Sequence, residues 1–285
     1  MSNKYINIYN FNIGTNVDII QAYRRRVYAV RRILFLKVVA YDTMNEAIKE
    51  YLNKYKDRDT ELEARSLAVG PKYLEYQFYQ AAAGAGILKE VLRAEKDGFD
   101  AVVTSCFDDP FLYPAREISK DIIVTAPGES SMNLASVLGS RFSVIVGRDK
   151  WIPQMRENVY KYGFGEKLAS FRSLGFGVLD FHRDEELTLK RMKEEIKKAI
   201  EKDYAEVIIL GCSMQFGFYR ELQKEFEVPV IDSMIAGLKQ AEYLLELKEK
   251  TGWGFSRRGL YERPPEKEME GWKLEEDFGL EGLLL

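Results

Sequence analysis

Two stretches of this chain, each some forty residues long, repeat one another, and no other feature limits the fold as strongly. They are EKDGFDAVVTSCFDDPFLYPAREISKDIIVTAPGESSMNLA and EKDYAEVIILGCSMQFGFYRELQKEFEVPVIDSMIAGLKQA. Each opens on the end of a charged helix and enters a buried strand that terminates in a cysteine. An "RE" helix, a second apolar strand and an acidic residue followed by serine come next, Glu129-Ser130 in one copy and Asp232-Ser233 in the other. The repeat implies two similar lobes. In an open parallel sheet, ligands bind beyond the carboxyl ends of the strands. Cys106 and Cys212 both sit at such ends, so lobes facing each other place the two thiols on opposite sides of one cleft.

The rest of the chain agrees with this plan. Short apolar runs read as strands: YINIYNF, LEARSLAV, FDAVVTSC, DIIVTAP, RFSVIVG, FGVLDF, AEVIILGC and VPVIDS. Several are nearly continuous Val, Ile and Leu, the mark of strands buried on both faces of a parallel sheet. Helical patterns such as AAGAGILKEVLRAEKDG, EELTLKRMKEEIKKAIEKD and SMIAGLKQAEYLLELKEK lie between them. The fold class expected is α/β, two pseudo-symmetric lobes, each with a mainly parallel sheet flanked by helices and an active-site cleft between them. Lobe 1 is expected over 1–126 plus 232–285, and lobe 2 over 127–231. Residues 18–59 are long for one crossover and read as two helices, with Arg24 to Arg26 on a solvated face. From about residue 250 an aromatic, Pro-containing extension begins; it reads either as a solvated tail or as a segment packed on the body or a partner subunit.

Composition narrows the function. The 285 residues carry a net charge of −3, so no basic field favours nucleic acid or anionic lipid. ILFLKVVAY is the most apolar stretch and is too short to span a bilayer. The opening MSNKYINIYNFN lacks a basic start and a long apolar run, so no signal peptide is expected. With two cysteines in the whole sequence, a cytoplasmic protein with reduced thiols is expected. One histidine, His182, and two cysteines are too few for a structural zinc site, so no metal is expected. His182 reads as a loop residue rather than the relay of a Ser-His-Asp triad. The GAG at Gly84 to Gly86 lies inside a helical pattern and is not a dinucleotide fingerprint.

A thiol on each side of a cleft suits one reaction: removal of a proton from one face of a carbon and return of another to the opposite face. One cysteine acts as thiolate and the other as thiol, exchanging roles with substrate handedness. Amide N–H groups where a strand turns into a helix are expected to lower a thiol's pKa and to hold an enolate oxygen. Gly211, Ser105 and Ser213 let a substrate approach the backbone closely. No cofactor is needed.

The residues GFDAVVTSCFDDPFLYPARE, LGSRFSVIVG, EVIILGCSM and VPVIDSMIAGLKQAE resemble the hydantoin racemase branch of the aspartate/glutamate/hydantoin racemase superfamily. The resemblance implies cofactor-independent racemisation by Cys106 and Cys212 of a small molecule, with hydantoin-like rings the leading class; a homo-oligomer is expected. It also implies that Asn12, Phe107, Gly211, Ser213 and Glu129 bind substrate or, for Glu129, start the helix crossing between lobes; Ser105, small and next to Cys106, is expected to bind substrate as well. Three loops depart from the family pattern: Phe11 beside Asn12, Gly147-Arg148 where a threonine is usual, and SMQFGFY after the second cysteine. Arg148 is either a carboxylate anchor or a surface residue. The alternatives are an aspartate or glutamate racemase, a related isomerase or decarboxylase, and a non-catalytic binding or assembly protein on the same fold.

Overall fold

The computed structural model describes residues 30–280, 282 and 283. The expected strand YINIYNF and Asn12 lie outside these residues. Two four-stranded sheets form the core. The first joins β1 (Arg31–Lys37), β2 (Thr60–Ser66), β3 (Ala101–Thr104) and β4 (Ile123–Thr125) in the order β2-β1-β3-β4. The second joins β5 (Phe142–Val146), β6 (Leu168–Ser173), β7 (Val207–Leu210) and β8 (Val230–Asp232) in the order β6-β5-β7-β8. Every pairing is parallel, and the two orders are the same, as a duplicated lobe requires.

Two expectations need correction. ILFLK is strand β1, not part of a helix. Its Ile33, Leu34, Phe35 and Leu36 are fully buried because β1 lies between β2 and β3 with both faces covered. A central strand reads as unbroken apolar sequence, and the neighbouring basic residues hid it. FGVLDF is likewise not a strand; β6 is LASFRS, a few residues earlier. That strand lies at the sheet edge, is half-buried throughout and alternates polar residues, so it carries little apolar signal. FGVLDF forms a loop instead, entered through Gly175 at φ +77° and anchored by buried Phe181.

Ten α-helices are described: α1 (Asn45–Leu52), α2 (Gln77–Lys96), α3 (Leu112–Ile118), α4 (Pro127–Leu138), α5 (Ile152–Lys161), α6 (Glu185–Asp203), α7 (Tyr219–Glu225), α8 (Ser233–Thr251), α9 (Glu266–Gly271) and α10 (Leu274–Phe278). The logic of α6 is local. Asp184 caps it by accepting from the Leu187 N–H, and Glu185 and Glu186 in the first turn complement the helix dipole. Thr188, Met192, Ile196 and Ala199 form its buried stripe. Full burial of Met192 and Ile196 contributes roughly 1.5–3 kcal/mol each.

α4 and α8 decide how the lobes meet. α4 leaves the first sheet after β4 and packs on β7 and β8 of the second; α8 leaves β8 and packs on β1, β3 and β4 of the first. The two helices also pack on each other. Gly237 allows this close approach, since a Cβ there would lie 3.0 Å from Val103 Cγ1, and its carbonyl accepts from Thr125 Oγ1.

The C-terminal extension packs on the body. Arg257 donates to the carbonyls of Arg116 and Lys120, and Arg263 to that of Ile118, so two guanidinium groups close the carboxyl end of α3. Phe255 and Tyr261 stack against the buried Arg116, and Met269 packs on Leu92.

Candidate active site

Both cysteines sit just beyond strand ends, Cys106 after β3 and Cys212 after β7. Each opens a turn closed by the N–H three residues on: Asp109 donates to the Cys106 carbonyl at 3.0 Å and Gln215 to the Cys212 carbonyl at 2.9 Å. Each sulfur also receives the N–H two residues on, that of Asp108 or Met214. The two turns are tied together directly, because Ser213 Oγ donates to the Ser105 carbonyl at 3.1 Å. Cys106, Cys212, Ser105, Phe107, Gly211 and Ser213 all line one cavity of about 90 Å³. Gly211 is required where it stands, as a Cβ would lie 2.5 Å from Val144 Cγ1.

Other sequence-named residues lie elsewhere. Glu129 does not line the cavity; it pairs with Arg116 at the start of α4. Arg148 is taken by Glu75 at 2.6 Å. His182 stacks on Phe218 and bonds Glu185, away from the cavity lining. Among the described residues no three His, Cys, Asp or Glu side chains gather as a metal would require, and no helix is long and apolar enough to cross a membrane.

The electrostatics differ from the sequence expectation. Burial, not a helix terminus, dominates both thiols. It pushes Cys106 well above the ordinary thiol range, aided by the nearby Asp108 carboxylate and by Cys212 itself. Cys212 is pushed up to about 12, again chiefly by burial, with Asp108 and Glu75 adding to it. The physical reason is that each cysteine leads into a tight turn, so one amide must offset the loss of solvent. Desolvation thus favours the neutral thiol at both positions.

Four cavity residues were not singled out from the sequence. Asp108 is 8% exposed, and burial raises its carboxyl to about 6. Gln80 Nε2 donates to its Oδ2 at 2.7 Å, and Gln154 Nε2 donates to Gln80 Oε1, linking α5 to α2. Glu75 accepts from Arg148 and from the Val178 N–H. Lys37, at the end of β1, donates to the Tyr41 carbonyl, and burial lowers its ammonium to about 8. Trp151 contributes an indole that is 6% exposed. The only sequence signal for these was the glycine at 147. A Cβ there would lie 2.5 Å from Trp151 Cη2 and 2.5 Å from the Phe176 carbonyl, so the glycine clears the space the indole fills.

A second pair of contacts joins the halves. Asp109 accepts from the N–H groups of Gly128 and Glu129 at the start of α4 and from Tyr162 Oη at 3.0 Å. Asp232 caps α8 through Met234 and Ile235 and accepts Tyr51 Oη at 2.6 Å. The amino end of each crossing helix is thus closed by a buried aspartate that also takes a tyrosine hydroxyl from the facing side.

The family model described as Asp/Glu/Hydantoin racemase matches residues 33–241, beginning within β1. A hydantoin racemase of Pseudomonas sp. (strain NS671) is 36% identical over 239 residues, covering 83% of this chain and 94% of that relative. A hydantoin racemase of Paenarthrobacter aurescens is 32% identical over 238 residues, covering 83% and 99%. Among solved structures, an allantoin racemase from Klebsiella pneumoniae superposes with a TM-score of 0.77 at 27% identity, covering 83% of this chain and 94% of that one.

Proposed function

This chain belongs to the Asp/Glu/hydantoin racemase family, and from that premise we propose that it racemises a hydantoin- or allantoin-type ring through Cys106 and Cys212, without a cofactor. The observation that carries the proposal is the Ser213–Ser105 hydrogen bond, which holds the two cysteine-bearing turns at the wall of one cavity.

The chemistry is a two-base proton exchange. One cysteine, as thiolate, takes the proton from the ring carbon next to the carbonyl; the other, as thiol, delivers its proton to the opposite face. The first cysteine ends as thiol and the second as thiolate, so turnover of the opposite enantiomer runs the roles in reverse. The N–H groups of Asp108 and Met214 support whichever sulfur is charged. Burial makes each thiolate scarce and, once formed, strongly basic, which suits a weak carbon acid. A neutral ring is favoured over a free acidic amino acid because Asp108 raises the pKa of both thiols, and a substrate carboxylate placed between them would lie beside that charge.

The test is a polarimetric screen of substituted hydantoins, allantoin, aspartate and glutamate with the wild-type protein and with Cys106→Ser and Cys212→Ser. Each variant is expected to lose racemisation, while retaining exchange of the ring-carbon proton with deuterium from a single enantiomer. Full racemisation by either variant refutes the mechanism, and turnover of the amino acids alone refutes the substrate class.

A further inference from the structure

We propose that Asp109 is the positioning residue for Cys106: its side chain clamps the turn that carries this thiol to the amino end of α4 and so fixes where the sulfur meets the substrate carbon. The assignment rests on the two-cysteine exchange proposed above and adds that the two thiols are held in different ways.

The turn after β3 is strained. Asp109 and Phe111 have φ +48° and +58°, the left-handed region that residues with a side chain seldom adopt. Asp109 also precedes Pro110, and a proline favours an extended residue before it. Such backbone persists only where its surroundings over-determine it, and it collects at functional sites. Here both strained residues are anchored. Asp109 Oδ1 accepts from the Gly128 N–H at 2.7 Å, and Oδ2 accepts from the Glu129 N–H at 2.6 Å and from Tyr162 Oη at 3.0 Å. Gly128 permits this approach, since a Cβ there would lie 2.7 Å from Asp109 Oδ2. The Phe111 ring fills the space that a Cβ at Gly84 of α2 would need.

The same residue closes the turn on the cysteine. The Asp109 N–H donates to the Cys106 carbonyl at 3.0 Å, so a shift of the clamp carries the cysteine backbone with it. Three elements thereby meet at one side chain: the Cys106 turn, the start of α4 and Tyr162, which follows α5.

The Cys212 turn is built otherwise. Its left-handed position is Gly217, at φ +89°, where glycine carries no steric penalty. The carboxyl group there belongs to the helix cap and not to the turn: the Gly217 N–H donates to Asp232 Oδ2 at 3.0 Å. Replacing Asp109 therefore acts on the Cys106 turn and leaves the Cys212 turn as it is.

The test reads the two thiols separately. In Cys212→Ser, exchange of the ring-carbon proton of 5-benzylhydantoin with deuterium runs through Cys106; in Cys106→Ser it runs through Cys212. Asp109→Asn is added to each background. It keeps the size of the side chain and its tolerance of left-handed backbone, but it sets an NH₂ group against an N–H donor. Exchange through Cys106 should fall about tenfold or more, and exchange through Cys212 should be unchanged. If the asparagine variant does not fold, Tyr162→Phe removes one of the three donors and should give the same selective fall, about threefold. An equal fall through both thiols, the mark of a merely structural role, or an unchanged rate through Cys106 overturns the assignment. If neither single-cysteine protein exchanges the proton, the proposed function fails, and alkylation by iodoacetamide of the chain with both cysteines decides the assignment alone. Both thiols are partly exposed, and Asp109→Asn should speed alkylation of Cys106 only, followed peptide by peptide by mass spectrometry. An equal change at both cysteines, or no change at Cys106, overturns it.

Discussion

Gly147→Ala is a sharp probe of the cavity wall. The added Cβ would meet Trp151 Cη2 at 2.5 Å, Trp151 Cζ3 at 2.6 Å and the Phe176 carbonyl at 2.5 Å. Ordinary contacts begin at 3.4 Å, so 3.4 − 2.5 = 0.9 Å of displacement is needed on two sides at once. The carbonyl is backbone and cannot rotate away, since the Phe176 N–H is itself bonded to the Gly147 carbonyl at 2.8 Å. The indole is fully packed and must yield. Overpacking of this kind costs about 1–3 kcal/mol, which for a chain of this size lowers the melting temperature by about 2–10 °C. Because the indole lines the cavity, kcat/KM for the ring substrate should fall about tenfold as well. Calorimetric melting measures the first effect. Trp151 emission measures the displacement, read in a Trp253→Phe, Trp272→Phe background, because those two indoles are exposed and Trp151 is buried. An unchanged melting temperature with unchanged emission would refute the packing argument and, with it, the role given to Gly147.

The electrostatics set the remaining outcomes. Because burial and the Asp108 charge both raise the thiol pKa values, kcat/KM should still be rising with pH above neutrality, where an ordinary thiol near about 8.5 would be levelling off. In Asp108→Asn the charge that opposes the thiolate is gone, so this limb should move to lower pH by about one unit, whatever happens to its height; a limb that stays in place contradicts the assignment of Asp108 as a neighbour of both sulfurs. Arg116→Met should destabilise the fold by about 3 kcal/mol, because it strands the Glu129 carboxylate at the start of α4 and removes the surface on which Phe255 and Tyr261 stack. Chemical denaturation measures it, and a loss below about 1 kcal/mol would show the pair to be solvated.

Much of the architecture was legible because it depends on periodicity. β3, β4, β5, β7 and β8 are buried on both faces, and α2, α6 and α8 carry regular apolar stripes, so each announces itself in a few residues. The elements misread were those whose surroundings contradict their sequence. β1 is the centre of a sheet but is flanked by arginines, and β6 is an edge strand written in polar residues. Of the candidate site, Cys106, Cys212 and their immediate neighbours were found because the repeat marks both strand ends at once. Asp108 and Trp151 carry no such mark. An aspartate in a turn and a tryptophan before a helix are ordinary, and only their burial in the wall of the cavity that holds both thiols sets these two apart.

The sequence alone determined that the chain is a duplicated α/β unit and that both thiols stand at the carboxyl ends of equivalent strands, because strand periodicity and repetition are local properties of the polymer. Tertiary structure decided how those ends meet: α4 and α8 each cross to the other sheet, and Ser213 reaches the Ser105 carbonyl. It also decided the state of the thiols. A pKa depends on what surrounds the sulfur, and here the surroundings are a desolvating cavity wall and the Asp108 carboxylate, whose burial near both sulfurs only the folded chain reveals.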